Sequence, residues 1–155
     1  MGPPTVAGFQ AFLVTYVGIT TAILPSNSLV VTSAFTIAMD IVNLQLQLAS
    51  PDIYTLAVYN LATSNIINYA QDQLNAPVYK NDQPFFAYLR HTWGIYNPTS
   101  GVVQSASDVS TSDSVVVPDF AKDLTFADLQ LRKDPFGRQY LALAQKYGPA
   151  PWGIS

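Results

Sequence analysis

Apolar side chains recur along this chain at helical spacing, interrupted by proline, glycine and short polar runs. Over residues 5 to 17, Phe9, Phe12, Leu13 and Tyr16 fall at helical intervals, and Gly18 supplies a stop. The stretch Leu24-Pro25-Ser26-Asn27-Ser28 is rich in turn formers. A second helix is predicted from Leu29 to Leu48, with two apolar stripes. Phe35, Met39, Val42 and Leu46 form one; Ile37, Ile41, Leu44 and Leu48 form the other. A helix that is apolar on two faces is buried on two faces. A small monomer arranges that with difficulty, and a neighbouring subunit supplies it naturally.

Ser50-Pro51-Asp52 opens a third helix: Ser caps, Pro suits the first helical position, and Asp suits the positive helix end. This helix is expected to reach about Leu74. Tyr54, Ala57, Val58, Leu61 and Asn65 lie along one side, and Ala62, Ile66 and Tyr69 on the neighbouring side. Asn60, Asn65 and Asn68 are expected to face solvent or to bond adjacent segments. Residues 76 to 83 read as a loop. A shorter helix follows over about Pro84 to Trp93, with Phe85, Tyr88 and Leu89 as its apolar edge, ended by Gly94 and Asn97-Pro98.

Residues 101 to 117 change character. Val102 and Val103 precede a polar stretch of mostly Ser, Thr and Asp, and Val115, Val116 and Val117 follow it. Two β-branched runs around a polar tip predict a β-hairpin or extended arm. Pro118 restarts helical territory. Thr125-Phe126-Ala127-Asp128 resembles a capping box with Asp in place of Glu. Asp134-Pro135 is an N-cap with a first-position proline, opening a helix over about Phe136 to Tyr147 that stops at Gly148-Pro149. The expected fold is therefore mainly α and forms one domain over residues 1–155. Four to five helices make a bundle of residues 5–93 and 118–147. A β-hairpin or extended arm protrudes at 101–117, and a C-terminal tail holds 148–155.

Charge changes the picture more than hydropathy does. Apolar residues are 49% of the 155, near the globular norm, but charged residues are only 11% against a usual share of roughly 25%. No Lys or Arg precedes Lys80, and there is no Glu anywhere. A free-standing globule normally displays a mixed charged surface. A chain without one is expected to cover much of its exterior with other subunits. A membrane span is disfavoured, because Pro25-Ser26-Asn27-Ser28 cuts the uncharged run before it reaches about 20 residues. A secretory signal is disfavoured too, because no basic region precedes that run. The net charge of −3 does not advertise general binding to duplex nucleic acid.

Candidate chemistry is sparse. The single histidine, His91, has no nucleophile motif to serve, and the chain contains no cysteine. Asp108-Val109-Ser110-Thr111-Ser112 resembles the metal-ion-dependent adhesion motif of integrin-type domains. That motif belongs after a buried strand of a doubly wound sheet, and its surroundings here read as helical, so a polar hairpin tip explains it better. Asp119, Asp123 and Asp128, with Lys122 nearby, read as a solvated face. No catalytic residue, cofactor or metal site is expected, and the chain does not read as an enzyme. The basic residues Arg132, Lys133, Arg138 and Lys146 crowd the C-terminal third. They suit an acidic partner surface, or DNA phosphates. The interface candidates are Val102, Val103, Val115, Val116, Val117, Arg132, Lys133, Arg138 and Trp152.

Two stretches carry a family likeness. One is the central Ile53-Tyr54-Thr55-Leu56-Ala57-Val58-Tyr59-Asn60-Leu61-Ala62. The other is the closing Asp134-Pro135-Phe136-Gly137-Arg138-Gln139-Tyr140-Leu141-Ala142-Leu143, which has the form aromatic-Gly-x-x-Tyr-x-x-Leu. With the Ser-rich arm between them, the pattern resembles the small head-tail connector (adaptor or head-completion) proteins of tailed bacteriophages. Residues 18 to 30 depart from that pattern. The resemblance implies a ring of copies, commonly dodecameric, docked beneath a portal protein. Such a ring would lengthen the channel through which DNA passes without sequence-specific binding, and would meet a tail or stopper protein. It also implies assembly in the bacterial host cytoplasm and residence at the head-tail neck of the virion, away from any membrane. The alternatives are another neck or tail protein, such as a tail terminator or head-decoration protein, and a small metal-dependent binding module at Asp108 to Asp113.

Overall fold

A computed structural model describes residues 2–25, 27–74, 76–96 and 126–148. Among these residues the chain forms seven helices and no strand. The first, α1 (Val6–Phe12), is capped by Thr5, whose hydroxyl accepts the Gly8 N–H at 3.0 Å. It runs on into a single π turn, Leu13–Val17. Gly18 closes that turn with φ 80°, in the left-handed region that glycine adopts without steric cost. The others are α2 (Leu29–Ile41), α3 (Gln45–Ala49), α4 (Pro51–Tyr69), α5 (Phe85–Thr92), α6 (Phe126–Leu131) and α7 (Pro135–Tyr147).

The body is built around α4, which packs against α2, α3, α5 and α7. Twelve of its 19 residues are buried, so it is enclosed on most sides. Its small residues Ala57 and Ala62 are fully covered, which lets neighbouring helices approach closely. Two of its buried polar side chains bond carbonyls one turn back. The Thr55 hydroxyl lies 3.0 Å from both the Gly2 and Pro51 carbonyls, and the Asn60 amide donates to the Leu56 carbonyl at 2.8 Å. Tyr59 is the aromatic centre, with ring centroids 5.7 Å from Phe9, 5.6 Å from Phe12 and 6.4 Å from Phe35. Its hydroxyl accepts the Thr5 N–H at 3.2 Å and donates to the Thr5 carbonyl at 3.3 Å. The aromatic chain continues from Phe12 to Phe136 and on to Trp93. Offset and edge-on ring pairs of this kind add to simple area burial.

Three expectations are corrected. The predicted helix from Leu29 to Leu48 is two helices. Asn43 accepts the Gln45 N–H on its side-chain oxygen at 2.8 Å, and Val42 turns extended at φ −67°, ψ 122°. A side-chain oxygen that bonds the backbone two residues on competes with the helical ladder, and here it wins. The third helix ends at Tyr69, short of Leu74. The Arg90 guanidinium takes its last carbonyls, donating to Ile67 at 2.7 Å and to Ala70. Asp72 is drawn away to α5, where its carboxylate accepts the Phe86 and Ala87 N–H groups at 2.9 Å each. Each of α4 and α5 thus has its open end closed by a charged side chain of suitable sign. The helix count is correspondingly seven among the described residues, against the four or five expected.

Between α4 and α5 the predicted loop contains a tight two-residue turn. Asn81 and Asp82 have φ 50° and 54°, and Lys80 and Gln83 exchange backbone hydrogen bonds. Asn and Asp tolerate that conformation better than other non-glycine residues. The arm expected at residues 101–117 lies outside the described residues, as does the tail beyond Gly148. Asp134 caps α7 as expected, accepting the Gly137 N–H at 2.8 Å.

Candidate interaction surfaces

The two apolar stripes of the predicted second helix meet different fates. Phe35, Val42 and Leu46 are buried and Met39 is half-buried against the core. The other stripe is open: Ile37 is 49% exposed, Ile41 56%, Leu44 65% and Leu48 87%. Leu29 and Val30 at the start of α2 are exposed as well. Beside this face runs a groove of about 370 Å³ between α2 and α4, lined by Val30, Ala34, Ile37, Ile66 and Tyr69. The only charged residue between Leu29 and Ala49 is Asp40, which is exposed. Scattered single apolar residues on a surface are ordinary, whereas a run of them along one helix pair marks an interaction site.

A second surface lies at the other end of the sequence. Arg132 and Arg138 share a shallow groove of about 330 Å³ with Leu141, Ala142 and Gln145. Arg138, Leu141, Ala142 and Gln145 are spaced i, i+3, i+4 and i+7, so they form one stripe of α7. The opposite side of α7, with Phe136, Tyr140, Leu143 and Tyr147, packs on the core. Arg138 is exposed and Arg132 half-buried. Lys133, the third basic candidate, is committed internally, donating from Nζ to the Ile95 carbonyl at 3.2 Å. Val102, Val103, Val115, Val116, Val117 and Trp152 lie outside the described residues.

The orientation of this basic surface is set by a buried carboxylate. Asp134 is fully covered. Its Oδ2 accepts from the Ser64 hydroxyl at 2.7 Å and from the Asn68 amide at 3.0 Å, both on α4. The Asn68 oxygen in turn accepts from Gln130 at 2.6 Å, so α6 is tied to the same point. Gly137 lets α7 sit against the end of α6: a Cβ there would lie 2.1 Å from the Leu131 carbonyl oxygen. The capping role of Asp134 was readable from Asp-Pro. Its bonds to α4 were not, because nothing local marks Ser64 and Asn68 as its partners. The pairing of Arg132 with Arg138 was visible only as a crowd of basic residues.

No catalytic constellation assembles among the described residues. His91 is exposed at the end of α5. No group of three His, Cys, Asp or Glu is placed to hold a metal ion. The Asp108 to Asp113 stretch, Asp119, Asp123 and Lys122 lie outside the described residues. Two tyrosines are perturbed. Burial pushes the Tyr54 hydroxyl above its ordinary range, and the negative charge of Asp40 adds to this. Tyr140 is raised by burial first and by Asp128 second. Among the described residues no helix is long and apolar enough to cross a membrane.

Comparison with protein-family models, with curated proteins and with solved structures returns no match to this chain.

Proposed function

We propose that this chain is a structural subunit that works by assembling with copies of itself, as a head-tail connector of a tailed bacteriophage does. In this reading the helical body forms a ring beneath the portal, continues the DNA channel and presents a surface to the tail or stopper protein. The ring is built in the host cytoplasm and carried at the neck of the virion. The observation that supports it best is the exposed stripe of Ile37, Ile41, Leu44 and Leu48 on a surface almost free of charge. Burial of apolar area is the main favourable term in protein association. A closed ring covers such a stripe on every copy, because one patch on each subunit meets a different patch on the next. The family likeness of Ile53 to Ala62 and Asp134 to Leu143 supplies the place of assembly. The Val-flanked arm at 101–117, read as a hairpin, belongs to this proposal as a reach toward neighbouring proteins.

The test is to purify virions and locate the chain. The expected result is recovery of its peptides from intact particles by mass spectrometry, with electron-microscopic density or antibody label confined to the head-tail junction. A chain that is found in no virion overturns the proposal.

A further inference from the structure

We infer that copies of this chain join head to tail, with the apolar face of α2 on one copy seated against the Arg132–Arg138 groove of the next. This rests on the self-assembly reading above and names the two surfaces it uses. Both helices spend their inner sides on α4, which leaves an outer side of each for a partner. The two outer sides are complementary in charge. The α2 face carries Asp40 and no cation, since the chain has no Lys or Arg before Lys80. The groove on α7 is lined by Arg132 and Arg138 and by no carboxylate, and Arg138 is exposed. Two α2 faces meeting each other would join surfaces of the same negative sign, and two grooves would join the like charges of Arg138. Like-charge juxtaposition across an interface is costly. The mixed arrangement brings the exposed Asp40 carboxylate toward Arg138 and lets Leu141 and Ala142 meet Ile37 and Ile41. Because the two patches differ, the contact propagates from copy to copy and closes as a ring if the rotation allows.

A mixing experiment with full-length chains tests this. Ile37→Asp spoils the apolar face, and Arg138→Asp spoils the groove. Both positions are exposed, so circular dichroism and the urea midpoint should match the wild type. By sedimentation velocity the wild type is expected to form species larger than a dimer as concentration rises. Each variant alone is expected to self-associate about 30-fold more weakly or worse, the range of interface hot spots. An equimolar mixture of the two should form a heterodimer of near wild-type affinity and stop there. The intact groove of Ile37→Asp meets the intact face of Arg138→Asp, and no second sound interface remains. Several results would overturn the inference: an Arg138→Asp chain that assembles as the wild type does, a mixture no tighter than either variant, or a wild type monomeric at every concentration. The connector reading stands or falls separately, on whether the chain sits at the virion neck. Wild-type assembly that survives both substitutions would refute this docking and leave that reading intact.

Discussion

Replacing Asp134 by Ala removes one carboxylate that three donors share, from a position with no solvent access. The first loss is the N-cap of α7, worth about 1–2 kcal/mol. The second is the pair of bonds to Ser64 and Asn68. A buried donor left without its acceptor costs about 1–3 kcal/mol. Both side chains have a fallback that holds this to the lower end: Asn68 already reaches the Ser64 carbonyl at 2.8 Å, and a helical Ser hydroxyl can turn back to its own ladder. Deleting a buried charge also relieves its desolvation. The net expectation is a loss of about 3 kcal/mol. With a urea slope of about 2 kcal/mol/M for a domain of this size, the unfolding midpoint followed by circular dichroism falls by about 1.5 M. Asp134→Asn keeps the shape and one acceptor and should lose about half as much. In a double-mutant cycle, Ser64→Ala and Asp134→Ala should show a coupling of at least about 1 kcal/mol. A loss under about 1 kcal/mol for Asp134→Ala, or additive single effects in the cycle, would refute the view that this carboxylate holds α7 onto α4.

Arg90→Met should lower stability by about 2–3 kcal/mol in urea unfolding, because the α4 carbonyls of Ile67 and Ala70 lose a charged donor that Met cannot replace. Gly137→Ala should cost about 2–3 kcal/mol and lower Tm in calorimetry, since the new Cβ overlaps the Leu131 carbonyl and pushes α6 from α7. Raising the pH above about 10, the ordinary tyrosine value, should lower the stability of the protein. Tyr54 and Tyr140 hold their protons longer when folded than when unfolded. The stability linked to them is complete below pH 10 and is lost as pH rises through their raised values. The double substitution Tyr54→Phe and Tyr140→Phe should flatten that loss, which far-UV circular dichroism across pH 9 to 12 would record.

Local punctuation made much of the fold legible. Ser50 and Asp134 cap the helices that follow them, Gly18 ends the first helical run, and Pro51 and Pro135 take first-turn positions. The reading failed where a side chain intervened from afar or turned on its own backbone. Asn43 breaks the long apolar helix through a bond two residues on, and neutral hydropathy gave no warning. The end of α4 depends on Arg90, which is 20 residues from Ala70. The exposed stripe was legible as a stripe, and periodicity alone said that it needed a cover. Which side would be left open depended on α4, whose buried face takes Phe35 and Val42 and leaves Ile37 and Ile41 out.

The exchange of charged caps between α4 and α5 has a mechanical consequence. Arg90 reaches back from the second helix to the first, and Asp72, between them, holds the start of the second. Both contacts close on the same corner, so it should resist fraying and move as one rigid elbow. The Phe86 and Ala87 amides should then exchange with deuterium as slowly as those inside α4.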